Sequence, residues 1–399
     1  MKALLLTREF PPEVYGGAGV HVEYLARELA KRIDLEVRCF GEPRDAPGVQ
    51  AFNAWDALDD ASSALRTMSV DLGMAAHADN ADIVHSHTWY TIFGGHLAKL
   101  LHGLPHVVTT HSLEPMRPWK TEQLGVGGYA LSSFCERTGI ESADAIVAVS
   151  HAMRGDVMSA YPQVDPALIQ VVYNGIDTDQ YQPDHGTGFL LKHGIDPELP
   201  TVLFVGRITR QKGIVHLLDA ALELAPEAQL VFCAGAPDEP EIERDTRERA
   251  ARVRESRSNV VWIEEMLPKP EVIQLLTHAT VFCVPSIYEP LGIVNLEAMA
   301  CETAIVASAV GGIPEVVVDG ETGLLVPVTL GADGNPVDAA RFATDFAARV
   351  NELLADPARA AHLGQAGRAR AVSEFSWGAI AEKTIALYER LIAANRPVA

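Results

Sequence analysis

Glu289 and Glu297 stand eight residues apart in EPLGIVNLEAMACE, the stretch from Glu289 to Glu302. Pro290 and Gly292 interrupt any preceding strand, and Ile293, Leu296, Met299 and Ala300 then recur at helical spacing. The pattern predicts a loop that runs into a helix, with Glu289 in the loop and Glu297 one turn inside. The amides of Gly292 and Ile293 have no intrahelical partner at such a start and can face a diphosphate. An ionised carboxylate has two acceptor oxygens, so Glu289 suits sugar hydroxyls and Glu297 a ribose. Both acids also favour a helix N-terminus without any ligand, by about 0.3–1 kcal/mol each. Upstream, in FVGRITRQKG, Arg207 closes a strand and Lys212 follows five residues later in a glycine-flanked turn. Two cations at a sheet edge can neutralise a diphosphate leaving group, each charge-assisted bond contributing about 1.5–3 kcal/mol.

A first strand runs into TREFPPEVYGGAGVHVEYLARELAKR, where Pro11 and Pro12 end it and Gly16, Gly17 and Gly19 lead into a helix. Glycines there let backbone approach phosphate or sugar, and tight packing explains them equally well. Their spacing is not GxGxxG. DIVHSHTWYT ends a strand with His85, His87 and Trp89, and TTHSLEPMRPWK ends the next with His111. His85 and His87 alternate and so point to one face, but no third ligand stands at a zinc-like spacing and no metal is expected. Asp177-Thr178-Asp179 has the DxD form of metal-dependent transferases, yet it lies among turn formers rather than at a strand end and reads as a turn. Beyond His111, Arg117 and Lys120 fall in a stretch that Pro115 and Pro118 make a loop, and Arg154 follows in a helical segment. In so acidic a chain these cations are candidates for a local phosphate site.

The elements that position these groups are short β-branched runs alternating with amphipathic helices, the sequence form of parallel βαβ units. Strands are expected at 2–7, 35–40, 82–87, 106–111, 145–150 and 170–174, and a second series at 201–207, 229–235, 259–263, 280–286 and 304–309. Between the series, NGIDTDQYQPDHGTG lacks periodicity and marks a boundary. The reading is α/β with two Rossmann-like, doubly wound domains facing across a cleft. An N-terminal domain over 1–175 is followed by a linker over 176–188 and a second domain over 189–375. A final helical segment over 376–399 crosses back to the first domain. Asp238 to Arg257 carries seven acids and six arginines, which reads as a solvated, salt-bridged helix.

At 399 residues the chain exceeds what one core usually supports. A net charge of −21 argues against nucleic acid and anionic membrane as partners, since both need a continuous basic face. Five cysteines without a CxxC pair read as reduced core residues of a cytoplasmic protein. No apolar run approaches the length of a membrane span.

Taken together, EFPPEVYGGAGVHV, HSHTW, THSLEP, VSHAM, NGID, VGRITRQKG, PSIYEPLGIVNLEAMA and VGGIPEVV resemble the retaining glycosyltransferases with two Rossmann-like domains, of GT-B type. The resemblance covers essentially the whole chain and points to the glycogen-synthase-related branch, specifically its short actinobacterial-type enzymes. These make α-maltose 1-phosphate from ADP-glucose and glucose 1-phosphate, in α-glucan biosynthesis. The KTGGL-type loop of the longer glycogen synthases is replaced here by Tyr15-Gly16-Gly17-Ala18-Gly19. The resemblance implies that Arg207 and Lys212 hold the donor diphosphate, Glu297 the ribose and Glu289 the transferred glucose. Gly17, Leu291, Gly292 and Ile293 would assist at the donor, Ile263 to Leu267 with Met266 would line the base, and His111 would lie against the sugar. Tyr90, Arg117, Lys120 and Arg154 would meet the acceptor. No cofactor is implied.

Three alternatives stay open from the residues. One is a glycogen synthase elongating an α-1,4-glucan from ADP- or UDP-glucose. Another is a nicotinamide-dependent oxidoreductase, which needs the missing GxGxxG loop. The third is a catalytically silent nucleotide-sugar sensor, which would have no need to keep His111, Arg207, Lys212 and Glu289. A homodimer is compatible with these residues, which do not set the oligomeric state.

Overall fold

The computed structural model describes residues 1–14, 16–117 and 119–395. Tyr15 of the glycine loop, Pro118 of the acceptor loop and the residues after Asn395 lie outside the described residues. The chain forms two compact units, one of residues 1–175 with the segment from Trp377 onward, the other Ile176–Ser376.

The first unit runs β1 (Lys2–Leu6), α1 (Gly17–Ala30), β2 (Asp34–Phe40), β3 (Val49–Phe52), α2 (Ser63–Ala75), β4 (Ile83–His87) and α3 (Trp89–His102). It continues with β5 (His106–Thr110), α4 (Lys120–Ser142), β6 (Ala145–Ala148), α5 (His151–Ala160) and β7 (Ile169–Val171). The second runs α6 (Gly188–Lys192), β8 (Thr201–Arg207), α7 (Ile214–Ala220), β9 (Gln229–Gly235), α8 (Pro240–Ser256), β10 (Val260–Ile263) and α9 (Lys269–His278). Then come β11 (Val281–Val284), α10 (Ile293–Ala300), β12 (Ile305–Ser308), α11 (Ile313–Val316), β13 (Leu324–Val326), α12 (Ala339–Ala355) and α13 (Pro357–Glu374). Helix α14 (Trp377–Asn395) belongs to the first unit.

The sheet orders are β3-β2-β1-β4-β5-β6-β7 and β10-β9-β8-β11-β12-β13, and the paired strands are parallel. In each, the order reverses beside the unit's first strand, between β1 and β4 and between β8 and β11. The crevice at the carboxyl ends of such strands is where doubly wound sheets bind ligands. Strands β4, β5 and β6 are buried at every residue, which is why they carry apolar, hydroxyl-bearing and imidazole side chains with no alternation of charged ones.

Two strands escape the sequence reading. β3 and β13 have four and three residues, too few for a period to stand out, and their partners β2 and β12 supply the order they lack alone. Helix α8 fits its own dipole: Pro240 starts it, Glu241 and Glu243 sit in the first turn and Arg254 in the last.

Helix α14 closes one face of the first sheet. Its Trp377, Ile380, Leu387 and Tyr388 share a core cluster with Ala3, Ile83, Val107 and Val147. Trp377 also stacks on Tyr24 of α1, with ring centroids 5.7 Å apart. Burying a large apolar side chain of this kind contributes about 1.5–3 kcal/mol. The second unit has its own core, which joins Phe204, Phe232, Val281 and Val306 of the sheet to Phe342, Phe346 and Val350 of α12.

Candidate functional site

In the second unit the predicted groups gather at the carboxyl ends of β8 and β11. Gly292 caps α10 at φ +87, a left-handed conformation that a side chain would strain, and no side chain caps the helix there. The Glu289 carboxylate, 5% exposed, receives Lys212 Nζ at 2.7 Å and the Ser286 hydroxyl at 3.3 Å. The Glu289 backbone is fixed from behind by VGGIP. Gly312 N donates to the Glu289 carbonyl at 2.9 Å, and a Cβ on Gly311 would strike that same oxygen. Only glycine allows so close a pass.

Arg207 does not share this contact. Its guanidinium turns to Asp238, with Nη1 to Oδ1 at 2.7 Å, because Asp238 follows the end of the neighbouring β9. The two cations therefore keep separate acidic partners. Glu297, half-buried in α10, accepts the Tyr181 hydroxyl at 2.9 Å. Burial raises its pKa, and the Tyr181 bond opposes the rise. Leu291 is buried, as is Ile263 at the end of β10, whereas Met266 is exposed. The Ile263 side chain thus packs inside the unit, and only the later part of the expected base-lining segment is open. Asn295, fully buried one turn into α10, has neither amide atom hydrogen-bonded.

In the first unit the carboxyl ends of β1, β4 and β5 carry the histidines. His111 Nε2 lies 3.0 Å from His87 Nδ1, and the His21 ring meets His111 edge-on at 4.7 Å between centroids. His85 is held between the Tyr388 and Thr109 hydroxyls, each at 2.6 Å. Burial holds the pKa of His85, His87 and His111 well below the usual imidazole value, and that of His21 at about 4. The rings are neutral at physiological pH. After β4, Thr88 has φ +65, a region a β-branched residue rarely adopts and one found at functional turns.

Tyr90, in the first turn of α3, lies under the Arg8 guanidinium at 4.1 Å and near Lys120 Nζ at 5.6 Å. Thr7, Arg8, Glu9, Ala18, Gly19, Thr88 and Tyr90 line one small hollow. The glycine turn is tied to Glu9, whose carboxylate takes the Gly16 amide at 2.8 Å, while Gly17 is exposed.

The expected loop of acceptor cations is corrected. Lys120 starts α4 and Glu114–Met116 form one 3-10 turn, since proline is tolerated in a first helical turn. Nor are these cations solvated. Arg117 and Lys120 both pair with the buried Glu114, at 2.8 and 3.1 Å. Burial, then the charge of Arg117, lowers the Lys120 pKa to about 8. Arg154 donates to the Pro166 carbonyl at 3.3 Å. Asp177 caps its own turn, accepting the amides of Asp179 and Gln180 at 3.1 Å each. Glu9, His21, Glu114 and Tyr181 were not singled out from sequence: His21 and Tyr181 act through partners 153 and 116 residues away, and the local bonds of Glu9 and Glu114 follow no periodic pattern.

Residues 190–370 match the family described as glycosyl transferases group 1, and residues 15–180 the one described as glycosyltransferase family 4. The chain is 52% identical over 396 residues to the alpha-maltose-1-phosphate synthase of Mycolicibacterium smegmatis, covering 98% of this chain and 100% of that one. It is 32% identical over 413 residues to the D-inositol 3-phosphate glycosyltransferase of Kineococcus radiotolerans, covering 94% and 91%. Among solved structures, sucrose-phosphate synthase from Thermosynechococcus elongatus superposes with a TM-score of 0.81 at 24% identity, covering 98% and 99%. That last likeness is one of fold.

Proposed function

The chain belongs to the group 1 glycosyltransferases, in the branch of the alpha-maltose-1-phosphate synthases, and on that premise we propose that it transfers glucose from ADP-glucose to glucose 1-phosphate. The product is α-maltose 1-phosphate, with the α-configuration retained. The observation that carries the donor half is the 2.7 Å contact of Lys212 with Glu289 beside the uncapped start of α10. Lys212 and Arg207 neutralise the departing diphosphate, aided by the amides at Gly292 and Ile293. Glu289 accepts from hydroxyls of the transferred glucose and Glu297 from the ribose. A leaving phosphate oxygen takes the acceptor's proton, so catalysis is mostly positioning and charge stabilisation.

A phosphorylated acceptor is supported by the names of two relatives, one a synthase whose product is a maltose 1-phosphate, the other a glycosyltransferase named for inositol 3-phosphate. It also agrees with Arg8, Arg117 and Lys120 near Tyr90 and Glu114. A cytoplasmic location is supported by five buried cysteines held as thiols. Among the described residues no helix is long and apolar enough to cross a membrane. The test is ADP or UDP release from the two donors with glucose 1-phosphate, maltose or glycogen as acceptor. Glycogen extension faster than glucose 1-phosphate consumption would overturn the proposed acceptor in favour of polymer elongation, and release from UDP-glucose alone would overturn the donor.

A further inference from the structure

We propose that His21, His87 and His111 form a binding site for one zinc-class divalent metal ion. The three come from separate elements: His21 from α1, His87 from the last residue of β4, His111 from just beyond β5. One ring nitrogen of each lies within 4.8 Å of the other two, and His111 is partly open, which gives an ion a way in. The pair His87 Nδ1 and His111 Nε2 is 3.0 Å apart. Zinc–imidazole bonds of about 2.0–2.1 Å at tetrahedral angles set ligand nitrogens roughly 3.3 Å apart. That pair is thus near ligand spacing already, and the third nitrogen closes by at most about 1.5 Å.

An independent observation points the same way. His21 Nδ1 lies 2.7 Å from Asn174 Oδ1, and a carbonyl oxygen only accepts, so Nδ1 carries the proton and Nε2 the lone pair. His21 is 2% exposed, and its Nε2 has no hydrogen-bond partner. An imidazole whose outer nitrogen donates to a fixed oxygen is oriented as a metal ligand, and such outer partners matter to affinity. Three imidazoles with no carboxylate in the set favour zinc, copper or nickel over magnesium or calcium. The fourth position stays open to water or an anion. Because His111 is the residue proposed to lie against the transferred sugar, an ion here would withdraw it and inhibit transfer; this last clause rests on the proposed function, whereas the site itself does not.

The full-length protein, stripped with chelator and dialysed against Zn²⁺, should hold about one zinc per chain, and Co²⁺ in its place should show the visible bands of tetrahedral nitrogen ligation. His21→Gln and Asn174→Ala should each weaken zinc binding by at least about tenfold. Absence of stoichiometric zinc overturns the site, as does equal affinity in both folded variants. If the variants fail to fold by circular dichroism, X-ray absorption of the wild-type zinc protein decides. Three imidazole shells at about 2.0–2.1 Å support the site, and a sulfur shell, meaning ligation by cysteine, overturns it. Binding is read without donor or acceptor, so failure of the transferase reading leaves it untouched. In the assay, zinc should suppress nucleotide release in step with occupancy and EDTA should restore it. Full occupancy with unchanged turnover would overturn capture of His111.

Discussion

The Tyr181 hydroxyl donates to Glu297 Oε1 at 2.9 Å, joining residues 116 positions apart. Tyr181 lies in the turn-rich stretch between the two strand series, yet it belongs to the second unit and is 4% exposed. It orients a carboxylate that burial would otherwise push toward its neutral form.

Tyr181→Phe should therefore weaken ADP binding by about threefold to tenfold, about 0.7–1.4 kcal/mol or the net contribution of one ordinary hydrogen bond, because Tyr181 acts only through Glu297, with turnover at saturation little changed. Glu297→Ala should weaken it further. Calorimetric titration with ADP decides, and an unchanged Kd in Glu297→Ala would remove the ribose role.

Lys212→Ala and Arg207→Ala should each slow turnover at least about tenfold, equal to about 1.4 kcal/mol of transition-state stabilisation. Their stabilities should differ. Lys212→Ala leaves the buried Glu289 carboxylate without its cation, whereas Arg207 and Asp238 form a more exposed pair. Melting temperatures should fall for the first and stay near wild type for the second. A folded Lys212→Ala protein with normal rates would sink the diphosphate assignment.

Transfer should survive exhaustive chelation, since Arg207 and Lys212 supply the positive charge and Asp177 is occupied by its own turn. The check is turnover with EDTA. Complete loss, restored by Mg²⁺ or Mn²⁺, would return attention to Asp177 and Asp179.

Stability should fall as pH drops from 7 to 5. His21, His85, His87, His106 and His111 have folded pKa values depressed by burial, to about 4 for His21 and about 3 for His106. Below about pH 6.5 the unfolded chain binds more protons at these sites, at a cost of roughly 1.4 kcal/mol per group per pH unit. Glu136, raised to about 7, and Asp71, Asp156 and Glu297, also raised, act in the opposite direction but are four against seven, since burial lowers His96 and His216 as well. Urea midpoints measured across this range test the sum, and a flat profile would refute it.

Replacing both Arg117 and Lys120 by Ala should raise the KM for glucose 1-phosphate strongly and leave donor affinity almost unchanged. It should also destabilise the protein by about 3–5 kcal/mol, because the buried Glu114 loses both cations. Adding Glu114→Gln to the double variant should recover much of the stability without recovering KM. Recovery of both would make the cations structural.

The alternation of β-branched runs with amphipathic helices was legible because strand and helix periods are local properties of the chain. So were the position of Glu289 before a helix, Arg207 at the end of β8 and His111 just after β5. Short β3 and β13 were not, since pairing with a neighbour, not their own pattern, makes them strands. Charge partners were not legible either. Spacing put Arg207 and Lys212 together, but sheet order gave the first to Asp238 and the second to Glu289. His21, His87 and His111 meet only because α1, β4 and β5 converge, and Tyr388 reaches His85 across 303 residues. A sequence pattern encodes which face of an element is apolar, whereas ion pairs and ring contacts depend on distances that exist only after distant elements pack.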